Sequence, residues 1–252
     1  MKHFAGKIHA EIIKMKHTFL VPFHVAAIVL GSGLFLMYYR FSGWDELSQI
    51  SAYVEMIGVA LPFVISIVCA GNIGLEEQNH FQILLGSYTK KWQGIVVKWL
   101  TLSAMGFLTI GGAVVIFGTG YHFFLGKEGI SADWYMLLVV ILFLGSIPLY
   151  LEHLFLNLLF PRAVSQCAGV AQTVLSALFL TGLGDGRWQF FPSTWSARGI
   201  GLALSSFYQK KMESSYFYEI KKTIFICPLF LVLICVIIAV GFHYYEGRQC
   251  ND

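Results

Sequence analysis

Of 252 residues, 57% are hydrophobic and only 12% are charged, with a formal net charge of +3. A soluble domain carries about 25% charged residues, so this composition excludes a water-soluble globule and leaves no stretch for a soluble catalytic domain. The net charge says little by itself, because the placement of the charges carries the information; no nucleic-acid partner is expected.

The chain begins "MKHFAGKIHAEIIKMKHT". Phe4, Ile8, Ile12, Met15 and Phe19 recur every three or four residues and share one helical face. Lysines and histidines occupy much of the remainder. The pattern predicts an interfacial amphipathic helix over 1–17, lysines toward anionic headgroups and apolar side toward membrane lipid. Six apolar runs of about 20 residues follow, each long enough to cross a hydrocarbon core. They fall at 18–38, 51–73, 94–118, 134–158, 163–183 and 224–245. The first is too long for a secretory h-region and has no A-x-A site, so it reads as a retained span.

The second run holds Pro62 near its middle and Glu55 about one turn from its end, where Glu55 is expected to snorkel, to bond across to a neighbouring helix or to line a substrate path. The fourth holds Pro148 and "LYLEHLFLNLLF", with Glu152, His153 and Asn157. Glu152 and His153 are adjacent and point to different sides of the helix, so each is expected to bond across to a neighbouring helix or to line a substrate path. The fifth, rich in Ala, Ser, Gly and Gln, suits close helix–helix contact. Between the fifth and sixth lies a loop, 184–222, dense in Trp, Phe and Gly. Its apolar piece from Gly199 to Gln209 is too short to span, and predicts a re-entrant or surface-lying hairpin. Trp188, Phe191 and Trp195 within it are candidates to contact an amphipathic substrate.

Short loops give the orientation. With the N-terminus cytoplasmic, the inner segments hold Lys2, Lys7, Lys14, Lys16, Lys90, Lys91, Lys98, Arg162 and Arg248. The two short outer loops hold only Arg40 and Lys127. The basic loop 184–222 is the exception, with Arg187, Arg198, Lys210, Lys211, Lys221 and Lys222 on the outer side; solvated charge is its simplest account. An even number of spans puts both termini in the cytoplasm. The cysteines have no metal or redox spacing, and no metal site is expected.

Residues 75–92 join the second and third runs on the cytoplasmic side. From Glu76 the segment predicts a short helix with Glu76 and Glu77 in its first turn, favourable to the helix dipole. Phe81, Leu84, Leu85 and Tyr88 then follow at i, i+3, i+4 and i+7 as one apolar face. Interfacial helices normally carry basic polar faces; an acidic one with an apolar face suits a protein groove.

An ATP-binding chain needs G-x-x-x-x-G-K-[ST]. "GYHFFLGKE" at 120–128 has one residue too many between its glycines and Glu128 where a hydroxyl belongs. No ATPase site of its own is therefore expected.

The basic leading helix, six spans, the helix after span two and the hairpin before span six together resemble the permease subunits of ABC-2-type exporters. More closely, "EEQNHFQILLGSYTKKW" is similar to the acidic–amide, Phe-Gln, Leu-Leu pattern of lantibiotic-immunity permeases of the EpiE/MutE or EpiG/MutG type. The resemblance implies an all-α, six-span single permease domain in the cell membrane. It also implies a second permease subunit, a cytoplasmic ABC ATPase that binds ATP and Mg, and docking through a coupling helix at Glu76, Glu77, Phe81, Leu84, Leu85 and Tyr88. The implied task is clearance of an antimicrobial peptide from the membrane, with export of another lipid or drug as the alternative. Membrane-embedded CAAX-type proteases are a more distant resemblance, through Glu76–Glu77 and His153-Leu-Phe-Leu-Asn157. Phe81 stands where that family has Arg, and no F-x-x-x-H occurs.

Overall fold

The computed structural model describes residues 2–86, 92–208 and 214–246, all helices and turns with no strand among the described residues. The helices are α1 Lys2–Lys16, α2 Leu20–Tyr39, α3 Glu46–Glu77, α4 Gln82–Gly86, α5 Trp92–Phe123, α6 Ala132–Leu159, α7 Arg162–Phe179, α8 Trp195–Tyr208 and α9 Ser214–His243. Among the described residues, α2, α3, α5, α6 and the Phe217–His243 part of α9 are long and apolar enough to cross a membrane. They correspond to five of the six expected runs.

The remaining run, 163–183, is α7, and it differs from expectation. It has 18 residues, about 27 Å at 1.5 Å per residue, and Arg162, Gln166 and Gln172 keep it less apolar than the other five. It stops at Phe179, and three short 3-10 turns follow, Gly182–Gly184, Trp188–Phe190 and Pro192–Thr194. Its small residues do bring helices together: Ser165, Gly169 and Ser176 are buried. A Cβ on Gly169 would lie 2.6 Å from the Ser66 hydroxyl of α3.

α3 is the centre of the bundle, packed against α6, α7 and α8, while α2 and α5 form a pair beside it. The start of α3 is fixed by Asp45, whose carboxylate accepts the Ser48 N–H at 3.0 Å. Such a cap satisfies one of the helix's orphan donors. Hydrogen bonding from Ser48, its hydroxyl first and then its backbone N–H, also lowers the Asp45 carboxyl below its usual pKa. Both α3 and α6 continue through their prolines, Pro62 and Pro148.

The loop after α7 dips into this bundle. A Cβ on Gly58 of α3 would fall 2.7 Å from the Ala197 backbone, and one on Gly145 of α6 would fall 2.6 Å from Ser196 N. Only glycine permits so close a backbone approach. The α8 N-terminus is thus wedged between α3 and α6, about 18 Å down α3 from Glu46 at 1.5 Å per residue. The start of the expected hairpin therefore packs between helices of the bundle; Gln209 lies outside the described residues. α9 is the least embraced helix, with only 6% of its most apolar window buried within the chain.

Candidate functional site

At the end of the bundle where α3 finishes, α1 folds back over α3 and α5 and delivers charge, not grease, into the interior. The expected apolar face of α1 divides: Met15 is buried, whereas Ile12 and Phe19 are exposed. Glu11, on the inward side, is 2% exposed and meets Lys98 of α5 at 3.0 Å and Lys14 at 2.9 Å. Glu76 of α3 receives Lys14 at 2.8 Å and Lys98 at 2.9 Å. Lys98 also donates to Asn72 Oδ1 at 3.1 Å. Two carboxylates therefore balance two ammoniums, as buried charge requires. Burial works to lower the pKa of Lys14, but its bonds to Glu76 and Glu11 hold it above the usual lysine value.

This network corrects the expected place of the acidic pair. Glu76 and Glu77 do not open a displayed helix; they close α3. Glu76 is buried, and Glu77 receives the Arg162 guanidinium through two bonds of 3.0 and 2.7 Å. The chain then reverses through His80 and Phe81 at φ 47° and 58°, closed by the Phe81 N–H donating to Glu76 O at 2.9 Å. Two consecutive non-glycine residues in the left-handed region store strain of order 1–3 kcal/mol each. Burial of Phe81 offsets it: its ring meets Tyr245 edge-on at 6.1 Å, and Tyr245 in turn donates to Leu158 O at 3.1 Å.

Among the described residues, the helical part of the segment after α3 is α4. Its Phe81–Leu84 side is buried and Leu85 half-buried, against the expected outward apolar face. What the segment does expose is Gln78, Asn79, His80, Gln82, Ile83 and Gly86. Tyr88, Lys90 and Lys91 lie outside the described residues.

The polar residues of α6 meet α7 through Gln172. Gln172 donates to Glu152 Oε1 at 2.6 Å, and its carbonyl oxygen lies 3.0 Å from His153 Nε2. His153 Nδ1 bonds the Ser165 hydroxyl at 2.9 Å, which also accepts from Asn157 at 2.8 Å. Glu152 and His153 therefore share a bridging amide without touching, and the arrangement holds two helices together. Glu76 pairs with Lys14 and Lys98, Glu77 with Arg162, and His153 bonds Ser165 and Gln172. Among the described residues, no group of three or more metal-ligating side chains comes together.

On the far side of α6 lies an apolar cleft of about 570 Å³ between α6, α8 and α9. Ile141 and Leu144 line it from α6, Gly199 and Ala203 from α8, and Ile224, Pro228 and Leu231 from α9. Small residues on α8 leave the space. Trp188 and Trp195 both line it. Trp188 is held by donating to Glu219 at 3.1 Å and Trp195 by donating to Gln189 O at 2.9 Å. Phe191 stacks edge-on with Phe179 instead. Glu55 accepts from Ser51 at 3.1 Å and faces Gly201 of α8. The cleft thus gathers two of the six residues expected along a substrate path.

The basic loop is also partly structural, not simply solvated. Arg198 donates to Phe179 O and, at 2.7 and 2.6 Å, to Thr181 O and Asp185, closing the C-terminal carbonyls of α7. Cations favour that end of a helix. Lys222 donates to Gly186 O and lies over the Phe190 ring.

Sequence reasoning missed Glu11, Lys98, Gln172 and Glu219. A signal existed for two of them. Lys98 is a lone cation inside an apolar run, and Glu11 interrupts the Ile8–Met15 face at helical spacing.

No protein-family model matches this chain, nor does any curated protein or solved structure.

Proposed function

We propose that this chain is the membrane permease subunit of an ABC-2-type exporter, with α7 completing six spans and both termini cytoplasmic. Its cargo is an amphipathic antimicrobial peptide of the lantibiotic class, removed from the membrane for self-immunity. It works in the cell membrane with a second permease subunit and a cytoplasmic ABC ATPase that binds and hydrolyses ATP with Mg.

The observation that carries this reading is the build of residues 76–86. A docking element that transmits force needs a free outer surface and a rigid root. Here Gln78 to His80, Gln82 and Ile83 supply the surface. Phe81, Leu84 and the ion pairs of Glu76 and Glu77 supply the root, tying the segment to α1, α5, α7 and the end of α9. A push on α4 therefore displaces several helices together. The docking face moves accordingly from the Phe81–Leu84 side to the Gln78–Ile83 side.

The cleft beside Trp188 and Trp195 supplies the substrate path. It opens next to α9, the helix least held by the rest of the chain, whose displacement admits or expels an apolar segment. Export of another lipid or drug is the second reading, favoured by the apolar lining of the cleft.

The test is release of a labelled lantibiotic from cells expressing this chain with its permease and ATPase partners. Wild type expels the peptide in an ATP-dependent manner, and Ala203→Trp, which fills the cleft, abolishes release while the subunits remain associated. Release that is unchanged by Ala203→Trp removes the cleft from the pathway. Absence of release by wild type, with expulsion of a labelled lipid, favours the second reading.

A further inference from the structure

At the opposite end of the bundle from Phe81, the turns after α2 and after α5 meet around a polar pocket of about 350 Å³. Its lining is Tyr39, Arg40, Ser42, Phe124, Leu125 and Lys127. Arg40 and Lys127 are the only lysine or arginine residues in the segments 40–45 and 124–131. The fold brings both to one pocket although 86 positions of sequence separate them, by their numbering.

We propose that this pocket binds a phosphate group, with net-anionic phosphate-bearing molecules as its ligand class. The Arg40 guanidinium is held 5.3 Å over the Phe124 ring and makes no side-chain hydrogen bond among the described residues, which leaves its planar fork open to oxygens. Lys127 is pinned by donating to Gln49 at 2.8 Å and by the Tyr121 ring at 5.5 Å. An ammonium has three donors, so two remain. The Ser42 hydroxyl oxygen accepts from Trp44 N–H at 3.3 Å, and its own hydrogen is left to donate. Tyr39 is 1% exposed, and its hydroxyl has no hydrogen-bond partner.

No carboxylate lines the pocket. Of the acids in the flanking turns, Glu46 accepts the Gly129 N–H at 3.4 Å, and Asp45 and Glu128 are exposed. A pocket offering a guanidinium, an ammonium and the Ser42 hydroxyl, with no carboxylate in its wall, matches the oxygens of a phosphate. Its place at the ends of two membrane-spanning helices is the depth at which a lipid phosphate sits. A soluble phosphate or pyrophosphate presents the same chemistry. The inference rests on α2 and α5 being spans, and is independent of the exporter reading.

The experiment is native mass spectrometry of the purified full-length chain in mild detergent, titrated with phosphatidylglycerol or phosphatidylcholine. Wild type retains phosphatidylglycerol in preference to phosphatidylcholine. Arg40→Gln/Lys127→Gln lowers its apparent affinity roughly tenfold or more, a loss of at least about 1.4 kcal/mol. Arg187→Gln/Lys221→Gln, which neutralises two exposed cations of the other loop, leaves it unchanged. Thermal unfolding verifies that each variant is folded, and Arg40→Lys/Lys127→Arg keeps binding if charge is what matters. Competition by inorganic pyrophosphate identifies the phosphate group alone as the ligand; failure to compete identifies the headgroup with its lipid. Equal retention by wild type and the Arg40/Lys127 double variant, both folded, overturns the proposal.

Discussion

Lys98 and Glu76 face each other at 2.9 Å across the ends of α5 and α3, and both are withdrawn from solvent. An ammonium there is tolerable only because Glu76, Glu11 and Asn72 surround it. Removing one member of such a buried set leaves charge uncompensated, at a cost of about 3–5 kcal/mol. Lys98→Met should lower the thermal midpoint sharply in detergent. Adding Glu76→Gln to it should recover part of the loss, because one excess carboxylate disappears. Double-mutant thermal unfolding measures that coupling.

Lys14 makes attachment of α1 sensitive to alkali. Its folded-state pKa lies above the usual value, so the stabilisation it provides is complete below about pH 10.4, the unfolded value. It is lost as pH rises through the folded pKa. Cross-linking of a cysteine pair placed between α1 and α5 should fall in that window. Lys14→Arg, which does not titrate there, should move the loss to higher pH.

Phe81 and Ile83 are two residues apart and should fail differently. Phe81→Ala removes a fully buried ring and should cost about 3–5 kcal/mol, visible as lost thermal stability before any assay of function. Ile83 is 39% exposed, and Ile83→Glu should leave the melting profile within about 0.5 kcal/mol of wild type. Comparing the two melts separates anchor from surface.

The wedge of α8 gives a steric prediction. Gly58→Ala puts a methyl 2.7 Å from the Ala197 backbone, and such overpacking costs about 1–3 kcal/mol. Gly33→Ala, where nothing lies within 4 Å, should be neutral or slightly stabilising. The Trp195 emission maximum should shift in the first variant only, since Trp195 begins α8.

The apolar runs made the helices legible from sequence, and the small residues of 163–183 pointed to a close helix contact. Which side of each helix faces the chain was not legible, for a physical reason. In a membrane protein the interior and the lipid are both apolar, so hydrophobic periodicity identifies a face without saying what covers it. On α1, the Ile12 and Phe19 side was as greasy as the Met15 side, yet the interior took Glu11. In the 76–86 segment, the Phe81–Leu84 face was read as an outward docking surface and is the buried root. The cleft was half legible: Trp188 and Trp195 stood out as aromatics near a breaker, but the tie of Trp188 to α9 depends on Glu219, 31 residues away and unremarkable in its own context.

Co-purification from the native host in mild detergent tests the central claim most directly, comparing wild type with Ile83→Glu/Gln82→Lys. An ABC ATPase should accompany the wild-type chain and be lost from the variant while the variant keeps the wild-type melting profile. Intact wild type with no ATPase bound, or equal ATPase on both proteins, would contradict docking through the Gln78–Ile83 surface.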